Sequence, residues 1–184
     1  DWAIENGYRH FDTAQVYRTE IVVGKGWKKS NLDRKDFFIT SKLKTVEGYC
    51  GEKCARESIA KSLKDLQTDY FDLFLFHHPL DDIGEIVQVW SLLEEYHQKG
   101  VFLAIGVSNF QEHHLQPILD NCNIVPAVNQ IESHVGKWND DLYQVNRLNG
   151  IATVAWSPLA GIGKEEKAVL DDIGTKYGKN HTQV

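Results

Sequence analysis

Methionine is absent from the 184 residues, and proline and cysteine are scarce, at four and three. A chain without Met that opens on Asp1-Trp2-Ala3-Ile4-Glu5-Asn6-Gly7 reads as starting inside a helix, with Gly7 near its C-cap. The expectation is therefore a piece of a longer protein. Cys50, Cys54 and Cys122 are odd in number and loosely spaced, which excludes a small disulfide-stapled scaffold and fits reduced thiols in a cytoplasmic protein. Cys50 and Cys54 lack a second pair, so their spacing is incidental to metal binding. No apolar run approaches the roughly 20 residues that span a bilayer, and no secretory segment opens the chain. Positive charge is also short: 20 Lys and Arg face 26 Asp and Glu, for a net charge of −6. That balance speaks against a nucleic-acid partner. Asn180-His181-Thr182 matches a glycosylation pattern short enough to arise by chance.

What the chain does hold is a repeating alternation. Apolar, β-rich runs at Tyr8–Thr13, Phe37–Lys42, Phe71–Phe76, Val101–Ser108, Ile124–Ile131 and Ile151–Ser157 read as strands. Stretches of helical period follow them at Arg18–Lys29, Cys54–Leu66, Gly84–Lys99, Glu112–Asn121, Asp140–Asn149 and Glu165–Tyr177. No two strands are joined by a hairpin, so the pattern is that of a parallel sheet. No Gly-x-Gly-x-x-Gly follows the first strand, so the dinucleotide fold lacks its fingerprint. A (β/α)₈ TIM barrel fits better, with about six of the eight βα units present and residues 1–184 forming a single, incomplete barrel domain.

In such a barrel the strand ends gather on one face. Four ionisable groups arrive there: Asp12, Tyr17, Lys42 and His77. A phenol titrates near 10 and is a poor acid at neutral pH. An ammonium within about 4–6 Å lowers that value, and a carboxylate beside the ammonium keeps it charged and fixed. A neutral imidazole orients a carbonyl by hydrogen bonding. Together these make a tyrosine proton donor to a developing alkoxide. No side chain supplies a hydride, so the set calls for a nicotinamide.

These residues carry a resemblance. Gly7–Gly24, with Asp12-Thr13-Ala14, Tyr17 and Glu20, resembles the first signature of the aldo-keto reductase superfamily. Ile39-Thr40-Ser41-Lys42, Asp72–Pro79, Gly106-Val107-Ser108-Asn109-Phe110, Val128-Asn129-Gln130 and Trp156-Ser157-Pro158-Leu159 match later blocks in that family's order. The resemblance implies NAD(P)H-dependent reduction of aldehydes and ketones. In it Tyr17 is the proton donor, Lys42 and Asp12 tune it, and His77 orients the carbonyl. Ser108, Asn109 and Gln130 hold the nicotinamide carboxamide, Trp156 takes the place of the aromatic under the ring, and Ser157 and Leu159 line the pyrophosphate. His78 stands where relatives often carry an aromatic of the substrate pocket. The family's grip on an adenosine 2′-phosphate falls past Val184, so NADP(H) is expected while NAD(H) is not excluded. A small carbonyl substrate and a monomer are expected as well.

Taken singly, each residue has a plainer reading: Asp12 as a capping acid, Tyr17 as a surface aromatic, Lys42 as a solvated strand end, Trp156 as core. His77-His78 and His113-His114 invite a metal, but no acid or cysteine stands at ligand spacing, and no metal is expected. Adjacent strand residues point to opposite faces, so at most one of His77 and His78 is expected to face the barrel. Two rival readings accompany the enzyme: a non-catalytic regulatory or structural protein on the same fold, and an inactive fragment prone to aggregate through unpaired sheet edges.

Overall fold

The computed structural model describes residues 2–45 and 49–184. Six strands lie side by side in chain order: β1 His10–Asp12, β2 Phe38–Leu43, β3 Leu73–Phe76, β4 Ile105–Ser108, β5 Val128–Glu132 and β6 Ala152–Trp156. Every neighbouring pair is parallel. Parallel neighbours need a crossover between them, and the helices supply it. α1 is Trp2–Glu5, α2 Glu20–Lys29, α3 Gly51–Leu66, α4 Ile83–Gln98, α5 Glu112–Asn121, α6 Asp140–Leu148 and α7 Lys164–Tyr177.

Five of the six strands are shorter than the apolar runs that announce them, β2 being the exception. Val101 and Phe102 still donate their N–H groups to the Tyr96 carbonyl, at 3.0 and 3.3 Å. That ties the start of the fourth run to the end of α4, and β4 begins only at Ile105. Phe71 joins the sheet solely through an isolated bridge to Phe102. Pro126 has no N–H to give a ladder, and β5 starts two residues after it. The helix ends follow their capping residues. Asp82 accepts the Glu85 N–H at 2.9 Å to open α4, and Asn139 accepts the Leu142 N–H at 3.1 Å to open α6.

Cys50 and Cys54 correct the expectation of three free thiols. They form a disulfide across a Cα separation of 5.6 Å, while Cys122 is free. Cys50 caps α3 and Cys54 lies in its first turn, so one helical turn brings the two sulfurs to the same side.

β2, β3 and β4 are buried along nearly their whole length, as strands covered on both faces must be. Phe74 of β3 stacks on Phe102 at 4.3 Å, with Phe71 against both. α4 seals this layer with Ile86, Val89, Trp90 and Leu93. α2 and α3 meet at Gly24, where a Cβ would lie 2.4 Å from the Asp65 carbonyl oxygen and 2.8 Å from the Leu66 Cα. Beside it the Trp27 indole N–H donates to the Leu66 carbonyl at 2.7 Å.

The sheet is strongly curled. Neighbouring strands lie about 4.8 Å apart, so β1 and β5 of a flat sheet would stand about 19 Å apart. Yet the Gln130 amide on β5 reaches the Asp12 carboxylate on β1 at 2.8 Å. The concave side of the sheet thus closes on itself, and the strand ends converge there.

Candidate active site

Asp12 is the last residue of β1 and Lys42 the fifth of β2. Lys42 is almost wholly buried. Its ammonium pairs with Asp12 Oδ1 and donates to the Thr13 carbonyl at 3.0 Å. Burial pulls the Lys42 pKa down, and the Asp12 charge and hydrogen bond oppose that pull. An ammonium out of water keeps its proton only beside such a partner.

Tyr17 ends a 3₁₀ turn, Gln15–Tyr17, between β1 and α2. It is half exposed, its ring edge-on to His77 at 5.6 Å and 5.0 Å from the Lys42 ammonium. The sequence led to a phenol pKa lowered by that ammonium. The structure reverses the sign: burial raises the Tyr17 pKa, and the Asp12 charge raises it further. Asp12 itself meets the ammonium directly.

His77 and His78 follow β3, which ends at Phe76. The alternation of faces expected for them applies only within a strand, and they lie beyond it. Both line the same cavity, of about 460 Å³, together with Tyr17, Ser108, Gln130 and Trp156, and their rings are 4.5 Å apart. Burial, with His78 and Lys42 adding to it, lowers the His77 pKa to about 4. Burial lowers that of His78 as well. Both imidazoles are therefore neutral at ordinary pH, each with a buried Nδ1 that has no partner.

Of the remaining predicted residues, Ser108, Asn109, Gln130 and Trp156 form a connected layer on the same face. Ser108 ends β4 and donates to the Gln130 carbonyl at 2.9 Å. Asn109 adopts a left-handed conformation, φ 64°, which asparagine tolerates better than most residues. Its amide nitrogen donates to the His77 carbonyl at 2.9 Å and to Ser108 Oγ at 3.1 Å. Its amide oxygen accepts the Trp156 indole N–H at 2.9 Å. Ser157 shares the left-handed backbone, φ 54°, and lines the cavity beside Trp156. Leu159 stands apart, exposed on the loop after β6 and outside the lining. A second cavity, of about 560 Å³, adjoins the first at Asn109 and Trp156.

Sequence reasoning missed the supports. Thr45 clasps the His78 backbone from both sides, donating to its carbonyl at 2.8 Å and accepting its N–H at 3.1 Å. Glu20 is buried and accepts from Ser41 Oγ at 2.6 Å and Ser62 Oγ at 3.1 Å. Gln15 donates to the same Ser62 hydroxyl at 3.1 Å and accepts the Lys44 N–H at 2.7 Å. These bonds fasten the turn that carries Tyr17 to the strand that carries Lys42. Glu20 belongs to the first signature, but neither its burial nor its two serine partners could be read from the sequence. Among the described residues no group of three His, Cys, Asp or Glu could hold a metal ion. No helix there is long and apolar enough to cross a membrane.

The Lys42–Asp12 pair lies beside Tyr17 and the neutral His77 at the end of the curled parallel sheet where a (β/α)₈ barrel places its site. The chain belongs to the aldo/keto reductase family, whose model matches residues 1–183. It is 41% identical over 184 residues to the methylglyoxal reductase DkgA of Escherichia coli (strain K12), covering 99% of this chain and 66% of that protein. Against the glyoxal reductase of Bacillus subtilis (strain 168) it is 42% identical over 183 residues, covering 99% and 64%. The chain thus spans just under two thirds of the length of these relatives. The crystal structure of an aldo/keto reductase from Brucella melitensis superposes with a TM-score of 0.90 at 35% identity, over 98% of this chain and 69% of that one. A Bombyx mori aldo-keto reductase in complex with NADP superposes with a TM-score of 0.87 at 31% identity, over 99% and 66%. The six βα units are part of a (β/α)₈ barrel.

Proposed function

We propose that residues 1–184 form one domain that carries the catalytic residues of an NADP(H)-dependent carbonyl reductase, with Tyr17 as proton donor. The observation that carries this reading is the buried Lys42–Asp12 pair set beside Tyr17 and the neutral His77. The cavity suits a nicotinamide: Ser108, Asn109 and Gln130 offer the donors and acceptors a carboxamide needs, and Trp156 a flat aromatic face. Ser157 and Leu159 would hold the pyrophosphate. When bound, NADPH supplies the hydride that reduces the carbonyl carbon. His77, neutral above about pH 4, offers a ring N–H to the carbonyl oxygen and orients it. Tyr17 gives its phenolic proton to that oxygen as negative charge grows there. Lys42 stabilises the phenolate left behind, and Asp12 keeps Lys42 charged and in place.

The relatives named for methylglyoxal and glyoxal point to small α-oxoaldehydes as substrates, with His78 lining the pocket they enter. The reading includes a cytoplasmic, monomeric protein with no nucleic-acid partner. The test is Tyr17→Phe, assayed with NADPH and methylglyoxal. Turnover should fall by about 10²–10⁴-fold, the range for a lost general acid, while NADPH binding followed by tryptophan fluorescence persists. Undiminished turnover would sink the mechanism.

A further inference from the structure

Asp12 divides its two carboxylate oxygens. Oδ1 takes the Lys42 ammonium, and Oδ2 accepts the Gln130 side-chain amide at 2.8 Å from across the barrel. A carboxylate held by a lysine can only accept, so the nitrogen of the Gln130 amide must be the end that faces it. Gln130 is more than nine-tenths buried, and its backbone carbonyl is fixed by Ser108 Oγ. One amide N–H is thereby committed to Asp12. The second N–H and the amide oxygen remain, one donor and one acceptor on the same planar group. A nicotinamide carboxamide asks for that complement.

We infer that Gln130 is a positioning residue that ties nicotinamide binding to Asp12: the acid orients the Gln130 amide, and the oriented amide receives the carboxamide. This rests on the reading of the cavity as a nicotinamide site and adds a coupling to it. Asp12 then does two things, holding Lys42 through one oxygen and presenting the cofactor's amide partner through the other. The consequence is that the proton-transfer residues and the cofactor share a side chain rather than merely a cavity.

A double-mutant cycle on NADP⁺ affinity tests this in the full-length protein, with affinity read from tryptophan fluorescence and calorimetry and no turnover required. Asp12→Asn presents an amide that no longer reliably accepts from Gln130, and NADP⁺ affinity should fall about ten-fold, as for one lost hydrogen bond to a charged group. Gln130→Met, close in shape, should cost as much or more. In the double variant the Asp12→Asn loss should vanish. Additive losses would mean that Asp12 meets the cofactor independently, which overturns the coupling while the carbonyl reductase reading stands. Unchanged affinity in Asp12→Asn overturns it equally. No NADP⁺ binding by the wild-type protein would instead remove the cofactor reading and the coupling with it. If Gln130→Met does not fold, the Gln130 side-chain amide signal in ¹⁵N NMR answers the same question. It should shift both on adding NADP⁺ and on Asp12→Asn, and a signal that ignores either overturns the proposal.

Discussion

The amide nitrogen of Asn109 donates to the His77 carbonyl at 2.9 Å, while its amide oxygen accepts the indole N–H of Trp156. One side chain therefore fixes the residue that would orient the substrate and the residue that would support the nicotinamide. Asn109→Ala breaks both bonds at a backbone, φ 64°, that alanine adopts poorly. Affinity for NADP⁺ and turnover should fall together, and stability by about 1–3 kcal/mol, readable in one set of binding, rate and urea-unfolding measurements. Loss of turnover alone would contradict the shared role.

His77 gives a pH dependence whose sign is fixed. Its folded pKa of about 4 lies below the ordinary 6.5, so the unfolded chain binds more protons between those values. Stability is fully present above about pH 6.5 and is lost as pH falls toward 4, by up to about 3 kcal/mol for this group. His77→Gln should flatten that limb of the stability curve, measured by urea unfolding from pH 4 to 8.

Glu20 carries the opposite sign. Burial raises its pKa, so its contribution is greatest with the carboxyl protonated and declines as pH rises through the folded value. Glu20→Gln can keep both serine contacts without a buried charge, and at neutral pH it should be at least as stable as the parent. Glu20→Ala strands the Ser41 and Ser62 hydroxyls and should cost about 1–3 kcal/mol. Equal destabilisation by the two variants would refute this account.

Gly24→Ala tests the α2–α3 contact. The new methyl group would meet backbone, not a movable side chain, and overpacking of that kind costs about 1–3 kcal/mol. A thermal unfolding midpoint that stays put would show that the helices separate freely.

The Cys50–Cys54 disulfide bears on the cytoplasmic reading, since reducing compartments rarely keep such bonds. In a reducing cell extract both thiols should alkylate, and after purification in air the pair should resist alkylation while Cys122 reacts. Mass spectrometry of the α3 peptide distinguishes these states.

The order and type of every strand and the helices from α2 to α7 were legible in the sequence because a buried parallel strand is an apolar run and its crossover helix has its own period. Strand limits were not, because an apolar run such as Val101–Ser108 says nothing of whether its first half pairs with a strand or with a helix end. Asp12, Lys42 and His77 could be named because they stand at or just past strand ends, and Tyr17 because it stands in the turn that follows one. The expectation that at most one of His77 and His78 faces the barrel failed because strand alternation was carried past the strand, which ends at Phe76. The direction of the Tyr17 shift was misjudged because the sequence shows neither how far the phenol is buried nor that the Asp12 charge lies near it. Asp1, part of the expected opening helix end, lies outside the described residues. Supports such as Thr45 and Ser62 depend on distances between elements that no local pattern encodes.

The bond between Asp12 and Gln130 joins residues 118 positions apart in the chain. Lys42, Asp12's other partner, is only 30 positions away. During synthesis the Lys42 pair can form once β2 has left the ribosome, but the second oxygen waits until β5 emerges about 90 residues later, several seconds at ordinary elongation rates. The acid therefore acquires its two partners at separate times, and a nascent chain paused between β4 and β5 would hold the tyrosine, lysine and histidine without the strut that closes the face on which they meet.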